Sequence, residues 1–316
     1  MSPEMGQVPE IAWPLRDFVP RQDFFVGIDS DGCVMDSMER KHRECFTPCA
    51  IEYWGLEPIA DLARETSLFV NLSSTTRGLN RWLALRQVFD LLRDRTEVAE
   101  RGVRIPEYPE LTDFINSEHP LSDQGIAAFA DEHPSATIRT AIAYGEAVNA
   151  AVAALKDRTG PFPGVLDAIR RLAQRADCMT ISATRLRALV QEWTAFGLAP
   201  WMQAIAGQEM GSKARQLAYA AGGKYPPGHV LLIGDAPGDR DAAARAQCLY
   251  YPINPGRERE SWARFTAEAL PRFLEGSFAG AYQHALIAEF EAYLPDEVPW
   301  PTISGGKRFP MPLVKG

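Results

Sequence analysis

Residues 24–32 read FFVGIDSDG, and this stretch decides the fold. An apolar run of strand length ends at Asp29, and Asp31 is followed at once by Gly32. A buried strand over 24–28 would deliver Asp29 to its C-terminal end, which is where open α/β sheets bind ligands. Alternation along an extended chain places Asp29 and Asp31 on the same side, and Gly32 permits a sharp turn beyond them. The stretch therefore predicts two carboxylates presented together at the edge of a sheet.

Two carboxylates in this arrangement suit two kinds of chemistry. They could act as nucleophile and general acid/base, or they could hold a hard cation through oxygen. The plain alternative is a strand that ends in a polar turn. A calcium loop is excluded, because it would need a glutamate eleven residues after Asp29 and Arg40 stands there.

Composition limits the classes of function. The chain has 316 residues, 46% hydrophobic and 23% charged, as in an ordinary globular enzyme. A formal charge of −8 argues against a nucleic-acid partner but not against a small phosphorylated metabolite. No apolar run is long enough to span a membrane, so no membrane partner is expected. Five cysteines do not describe a disulfide framework, so we expect a cytoplasmic protein.

Strand and helix signals alternate in the second half of the chain. Short apolar runs over 178–181, 202–206, 229–233 and 249–252 are separated by helical segments, which predicts βαβ units and a parallel sheet. The predicted domains are an irregular, Pro-rich N-terminal arm over 1–22, an α/β core over 23–37 and 160–275, a mainly helical insert over 38–159, and a C-terminal helix with a Pro-rich tail over 276–316.

Helical periodicity dominates the insert. Trp82, Leu85, Phe89 and Leu92 recur at three and four residues, and a second amphipathic helix is predicted over 137–157. The Pro- and acid-rich residues 102–136 are expected to be a connector. After the α/β core, residues 259–294 are expected to be helical. The apolar part over 277–294 could pack on the core or serve a homodimer.

Three further strand ends carry polar residues. Ser182, with Ala183 and Thr184 behind it, could bind an anion through its hydroxyl and neighbouring N–H groups, or simply cap a helix. Lys213 begins a helix, where the helix dipole disfavours a cation, so it could serve a phosphoryl group instead of solvent. Asp235 and Asp239 lie in a Gly/Pro turn after an apolar strand, a natural place for a hard metal.

The order of these motifs, each after its own strand, resembles the haloacid dehalogenase-like (HAD) hydrolase superfamily. The matching residues are Asp29-x-Asp31-Gly32, then Ser182, then Lys213, then Gly234-Asp235 with Asp239 four residues on. The resemblance covers about 22–37 and 160–255, and it includes the position of the insert, which corresponds to the cap of that family. At about 120 residues this cap is longer than the usual small helical one, so no substrate contacts are carried over.

The resemblance implies a magnesium-dependent phosphatase with a Rossmann-like doubly wound α/β core and a helical cap. Asp29 would form an aspartyl-phosphate, and Asp31 would act as general acid and base. Mg²⁺ would be bound by Asp29, the main-chain carbonyl of Asp31 and Asp235, with Asp239 a ligand through water or a support. Ser182, Ala183 and Lys213 would bind the phosphoryl oxygens. The expected substrate is a small phosphate monoester.

Alternatives within and outside this family stay open. Sugar phosphomutases also keep both aspartates, whereas dehalogenating members lack the second, which argues against that branch. Phosphonate-cleaving members also lack it and use a cap lysine, for which only Lys41 and Lys156 are available in the insert. A protein that binds phosphate or a partner without catalysis is the alternative from another class.

Two lesser candidates lie in the insert. Arg77, in the polar stretch 71–81, could reach an anionic or sugar leaving group, or it could belong to a capped helix start on the surface. His42, Cys45 and Cys49 have a spacing compatible with zinc, but no fourth ligand is near. Core cysteines are the preferred interpretation there. Gly211-Ser212-Lys213 lacks the glycine spacing of a phosphate loop.

Overall fold

The protein is described by a computed structural model that covers residues 10–155 and 159–306. The described chain forms two compact units. The α/β unit comprises residues 10–37 and 159–293, and the helical unit comprises residues 38–155 and 294–306. The predicted C-terminal segment 276–316 is therefore divided, because residues up to 293 belong to the α/β unit and residues 294–306 to the helical unit.

The regular elements are numbered in chain order. The strands are β1 Phe25–Ile28, β2 Asp177–Ile181, β3 Ala204–Ala206, β4 Val230–Gly234 and β5 Leu249–Pro252. The α-helices are α1 Trp13–Arg16, α2 Met38–Lys41, α3 Thr47–Tyr53, α4 Ala60–Leu72, α5 Arg81–Asp94, α6 Thr96–Glu100, α7 Pro109–Asn116, α8 Asp123–Glu132, α9 Ala136–Ala154, α10 Val165–Leu172, α11 Leu186–Ala195, α12 Lys213–Ala221, α13 Pro237–Arg245, α14 Glu258–Arg264, α15 Leu270–Leu274 and α16 Ala281–Ala292. Across the described part of the chain, no helix is both long and apolar enough to cross a membrane.

The strands form one parallel sheet in the order β3-β2-β1-β4-β5. The chain runs outward from β1 to β3 on one side and then returns to place β4 and β5 on the other. The order therefore reverses between β1 and β4, and such a switch point opens a crevice at the carboxyl ends of the strands. All five predicted strands are confirmed to within a few residues, and the parallel sheet is confirmed.

Helices cover both faces of the sheet, so the α/β unit is doubly wound. Val26 and Ile28 point into one core layer, which contains α10, α11 and α14. Phe25 points into the other layer, which contains α1, α12 and α13. Strands buried on both faces are expected to be apolar throughout, and β1 has no polar residue. The Rossmann-like fold class predicted from the sequence is confirmed.

The helical unit has its own apolar core. The predicted stripe of Trp82, Leu85, Phe89 and Leu92 is buried along α5, which packs on α4. The C-terminal segment completes this core. Val298 and Trp300 are buried in it, and the Trp300 ring meets Phe69 edge-on at 5.2 Å. Residues 294–306 are thus part of the helical unit rather than a separate tail.

Three expectations about secondary structure are wrong. The connector 102–136 contains α7 and α8, because Pro109 at the first helical position and the Ser122 cap are helix-start signals as well as loop signals. The predicted helix over 259–294 is broken between α15 and α16, where Gly276 and Gly280 have positive φ. The N-terminal arm is not wholly irregular, since it contains α1.

The C-terminal helix of the α/β unit packs on the core, one of its two predicted roles. Helix α16 lies against β5, with Leu286 and Phe290 buried and the Phe290 ring 6.2 Å from that of Tyr250. A homodimer stays a prediction. Three segments lie outside the described residues, namely 1–9, 156–158 and 307–316. They include parts of the predicted arm, of the predicted second cap helix and of the predicted tail, and they include Lys156.

Candidate active site

The strand register brings the predicted site residues to one edge of the sheet. Ile28 pairs with Thr180 of β2 and with Ile233 of β4, so Asp29 follows β1 next to the ends of both neighbours. The Asp29 amide donates to the carbonyl of Ile233 at 2.9 Å. The C-terminal ends of β1, β2 and β4 thus carry Asp29, Ser182 and Asp235, at the switch point of the sheet.

Three aspartates meet at this edge. Single carboxylate oxygens of Asp29, Asp235 and Asp239 lie within 4.8 Å of one another, and all three residues are buried. A Cβ atom on Gly234 would lie 2.4 Å from Cγ of Asp239, so only glycine leaves room for that carboxylate over the strand end. Asp239 accepts from the Ala236 amide at 3.1 Å, in the first turn of α13. We call Asp29, Asp235 and Asp239 the acidic cluster.

Lys213 binds this cluster from the first residue of α12. Its Nζ donates to Asp29 Oδ1 at 2.9 Å and to Asp239 Oδ1. Burial alone would lower the pKa of Lys213, but the charges of Asp239 and Asp29 outweigh it and raise the pKa above its ordinary value. These partners explain a lysine that the helix dipole disfavours.

The acidic cluster carries more negative charge than Lys213 can offset. Three ionised carboxylates and one ammonium would together carry a net charge of −2 in a buried place. Burial, opposed by Lys213 and reinforced by the charges of Asp239 and Asp235, raises the pKa of Asp29 well above its usual range. A donor set made only of carboxylate oxygens, with this excess of charge, fits a hard divalent cation.

Asp31 stands apart from the acidic cluster and is half-buried. Gly32 has φ of +80°, which confirms the predicted need for glycine in the turn after the two aspartates. The carboxylate of Asp31 accepts from two hydroxyls, Ser37 Oγ on Oδ1 and Thr184 Oγ1 on Oδ2 at 2.8 Å. Its side chain is therefore oriented from two separate segments. The metal-binding role of its main-chain carbonyl stays a prediction.

The predicted phosphate site differs in detail from the expectation. Helix α11 begins at Leu186, and its first amide donates to Glu209 Oε2 at 2.9 Å, so the Ser182 segment is not the helix terminus. The Ser182 amide donates to Gln216 Oε1 and to the carbonyl of Ala206. The Thr184 amide donates to Ser182 Oγ. These amides are used internally, which leaves the Ser182 hydroxyl proton and the exposed Ala183 as the groups suited to an anion.

Gln216 is a site-building residue that the sequence analysis missed. It is fully buried one turn after Lys213, and its Nε2 donates to the carbonyls of Ser182, Gly207 and Gly211 at 2.9–3.0 Å. One amide thus ties the end of β2 to the loop that leads into α12. A polar side chain on the apolar side of a helix, three residues after a candidate site lysine, was the available signal.

Two tryptophans hold the loop after β1. Trp193 Nε1 donates to Ser30 Oγ and Trp262 Nε1 donates to the carbonyl of Cys33, both at 2.8 Å. Trp193 is fully buried in the core. Its indole N–H additionally fixes the residue between the two site aspartates.

The structure places the lesser candidates inside the helical unit. Arg77 is buried, and its Nη1 donates to the carbonyl of Leu72 at 2.9 Å, so it is not on a surface helix start; contact with substrate stays a prediction. Within the described residues, the acidic cluster is the one group of three or more acidic, histidine or cysteine side chains close enough for a shared metal. His42, Cys45 and Cys49 form no such group, and Cys45 is buried as expected.

The sequence matches no family model and no curated protein. Solved structures do match at a probability of 1.00. A HAD-like hydrolase from Streptococcus pneumoniae has a TM-score of 0.38 and 13% identity, and the match covers 78% of this chain and 91% of that one. A chain described as a phosphoglycolate phosphatase from Haemophilus somnus has a TM-score of 0.44 and 14% identity, and the match covers 74% of this chain and 87% of that one. A HAD hydrolase from Bacillus subtilis, bound to magnesium, has a TM-score of 0.42 and 14% identity, with 74% of this chain and 88% of that one covered.

These matched structures are HAD-superfamily hydrolases or phosphatases by their descriptions. Their identities lie between 13% and 14% and their TM-scores below 0.5.

Proposed function

We propose that this chain is a HAD-like, magnesium-dependent phosphatase that hydrolyses a small phosphate monoester through an aspartyl-phosphate on Asp29. The observation that carries the proposal is the buried acidic cluster with Lys213 at the switch point of the sheet. In this cluster Asp29, Asp235 and Asp239 lie together and Lys213 contacts Asp29 directly. A phosphoryl-transfer enzyme needs a nucleophile, a cation site and a fixed positive charge close together.

In the first step Asp29 attacks phosphorus. A bond forms between its carboxylate oxygen and phosphorus, and the ester P–O bond breaks, with its electrons passing to the leaving oxygen. That oxygen takes the proton of the Asp31 carboxyl group and leaves as an alcohol. Acid/base help of this kind typically contributes roughly 10²–10⁴ in rate.

In the second step water attacks phosphorus and the Asp29–phosphate bond breaks. Asp31, now a carboxylate, takes a proton from this water, and Asp29 returns as a carboxylate. The net reaction adds water to the ester and gives an alcohol and inorganic phosphate. Splitting one hard displacement into two is the advantage of a covalent intermediate.

The phosphoryl group would be bound by Lys213, the Ser182 hydroxyl and the Ala183 amide. Lys213 supplies a compact charge, and it already lies 2.9 Å from the nucleophile Asp29. The Ser182 hydroxyl accepts from the Thr184 amide, so its own proton is available for a phosphoryl oxygen.

The residues that would hold Mg²⁺ are Asp29, Asp235 and the main-chain carbonyl of Asp31, with Asp239 as a ligand through water or a support. When bound, the ion would offset the charge of two anions that meet and polarise the phosphoryl group. A bound cation would also favour the ionised form of Asp29, which is the form that its nucleophilic role requires. We further propose a cytoplasmic protein, because all five cysteines are free thiols, which suits a reducing compartment.

The test is phosphate release from a panel of phosphate monoesters, with Mg²⁺ or with chelator. The wild type should release phosphate only with Mg²⁺, and Asp29→Asn should fall to background. Asp167→Asn is the matched control, because that aspartate is exposed on α10 of the same unit.

Two results would overturn the proposal. One is a folded wild-type protein that releases phosphate from no ester with Mg²⁺ present. The other is an Asp29→Asn variant that stays as active as Asp167→Asn. The same samples are tested for isomerisation of sugar phosphates, which would replace hydrolysis by intramolecular transfer.

A further inference from the structure

We propose that Thr184 is a positioning residue for Asp31 and thereby sets how well the enzyme hydrolyses esters with poor leaving groups. The inference rests on the proposed function, because it needs Asp31 to act as the general acid. It assigns a role to a residue that lies between the predicted phosphate site and the general acid.

The contact joins two distant parts of the chain. Thr184 Oγ1 donates to Asp31 Oδ2 at 2.8 Å across 153 residues of sequence. The other oxygen of Asp31 accepts from Ser37, which lies in the same loop as Asp31. Rotation of a carboxylate about its last bond is weakly restricted by sterics alone. A donor from outside the loop therefore fixes the plane of the Asp31 carboxylate relative to the sheet.

The backbone of Thr184 is itself held by two hydrogen bonds. Its amide donates to Ser182 Oγ at 3.2 Å, and its carbonyl accepts from the Gln208 amide at 2.9 Å. Its side chain is β-branched, which restricts rotation about its first side-chain bond. A short chain of contacts thus runs from Ser182 through Thr184 to Asp31. The group proposed to bind phosphate and the group proposed to deliver the proton share one rigid support.

The consequence depends on the leaving group. An alkoxide is a strong base and must be protonated as it leaves, whereas p-nitrophenolate leaves readily without a proton. Loss of orientation at Asp31 should therefore slow the first step for alkyl phosphates and spare the first step for p-nitrophenyl phosphate. A displacement of about 1 Å at a reacting group can cost roughly 10²-fold in rate.

The experiment measures kcat and KM of Thr184→Val and Thr184→Ser for p-nitrophenyl phosphate and for the best alkyl phosphate of the panel. Valine keeps the shape of threonine without the hydroxyl, and serine keeps the hydroxyl. The rates compared are kcat/KM values, because kcat/KM covers only the steps through departure of the leaving group and excludes the second step, in which Asp31 acts as a base for every ester. For Thr184→Val we expect kcat/KM on the alkyl ester to fall roughly 10- to 100-fold. The kcat/KM on p-nitrophenyl phosphate should stay within about threefold, since its leaving group departs without a proton.

Two controls separate positioning from general damage. Thr184→Ser should recover most of the alkyl-ester rate because it keeps the donor. Thr194→Val makes the same chemical change at an exposed site on α11 and should match the wild type. A merely structural role for Thr184 would lower both ester rates together.

Each remaining outcome overturns the inference. Equal losses on both esters, no loss in Thr184→Val, or a Thr184→Ser variant as impaired as Thr184→Val would each do so while leaving the phosphatase assignment intact. Wild-type hydrolysis confined to p-nitrophenyl phosphate would also overturn it. A wild type that hydrolyses no ester would remove the proposed function, and this inference with it.

Discussion

Two clusters of charged side chains, one in each unit, are built in opposite ways. In the α/β unit, three buried aspartates share the single ammonium of Lys213. In the helical unit, Arg95 is 2% exposed and pairs with Glu65 and Glu97, whose side chains are 55% and 36% exposed. The acidic side chains are buried in the first cluster and exposed to water in the second.

The Arg95 cluster has the features of a structural group. Its guanidinium donates to both glutamates and to Thr66, and it lies 4.4 Å from the centre of the Trp300 ring. The hydrogen bond from Arg95 lowers the pKa of Glu97. The buried guanidinium thus forms hydrogen bonds to acidic partners that stay in contact with water.

The acidic cluster lacks this balance. Gathering like charges in a buried place is costly, and groups of this kind are found most often at functional sites. The contrast between the two clusters predicts different effects of substitution, namely loss of stability for the Arg95 cluster and, under the proposed function, loss of activity for the acidic cluster.

The largest effect is expected for Asp235→Asn. This change removes one carboxylate charge of the cluster and one proposed magnesium ligand, so the rate of phosphate release should fall roughly 10²-fold or more. In buffer without metal the melting temperature should not fall, because repulsion within the cluster is relieved. A lowered melting temperature with activity retained would show that Asp235 is a structural residue.

Arg95→Met should have the opposite signature. It removes the hydrogen bonds of a buried cation and part of its packing on Trp300, and we expect a loss of about 1–3 kcal/mol in the free energy of unfolding. Chemical denaturation measures this loss. No change in stability would contradict the structural role given to this cluster, whatever happens to activity.

Glu65→Gln should have the smallest effect. Glu65 is more than half exposed, and an amide oxygen can still accept from Arg95, so the change should be within about 1 kcal/mol. The same denaturation experiment applies. A loss as large as that of Arg95→Met would show that the excess negative charge of this cluster is not screened by water.

The sequence predicts the α/β unit well because its signals are local. An apolar run fixes each strand, and a parallel sheet brings the C-terminal ends of its strands to one edge. Asp29, Ser182 and Asp235 follow their strands directly, so this edge could be predicted without knowing any contact. Gly234 and Gly32 mark the turns for the same local reasons.

Residues whose roles depend on contacts between distant parts of the chain could not be predicted in this way. The partner of Thr184 lies 153 positions away, and nothing near it in sequence indicates Asp31. Gln216 gives only the signal of a polar residue on a buried helix face. Trp300 is apolar enough to predict burial, but its place against Phe69 and Arg95 depends on the route of the C-terminal segment.

Titration calorimetry with Mg²⁺ measures whether the acidic cluster is a divalent-cation site. Wild type, Asp235→Asn and Glu65→Gln are titrated under the same conditions. One Mg²⁺ should bind per chain in wild type and in Glu65→Gln, and binding should be lost or strongly weakened in Asp235→Asn. No binding by folded wild type, or equal binding by all three proteins, would contradict a divalent-cation site in this cluster.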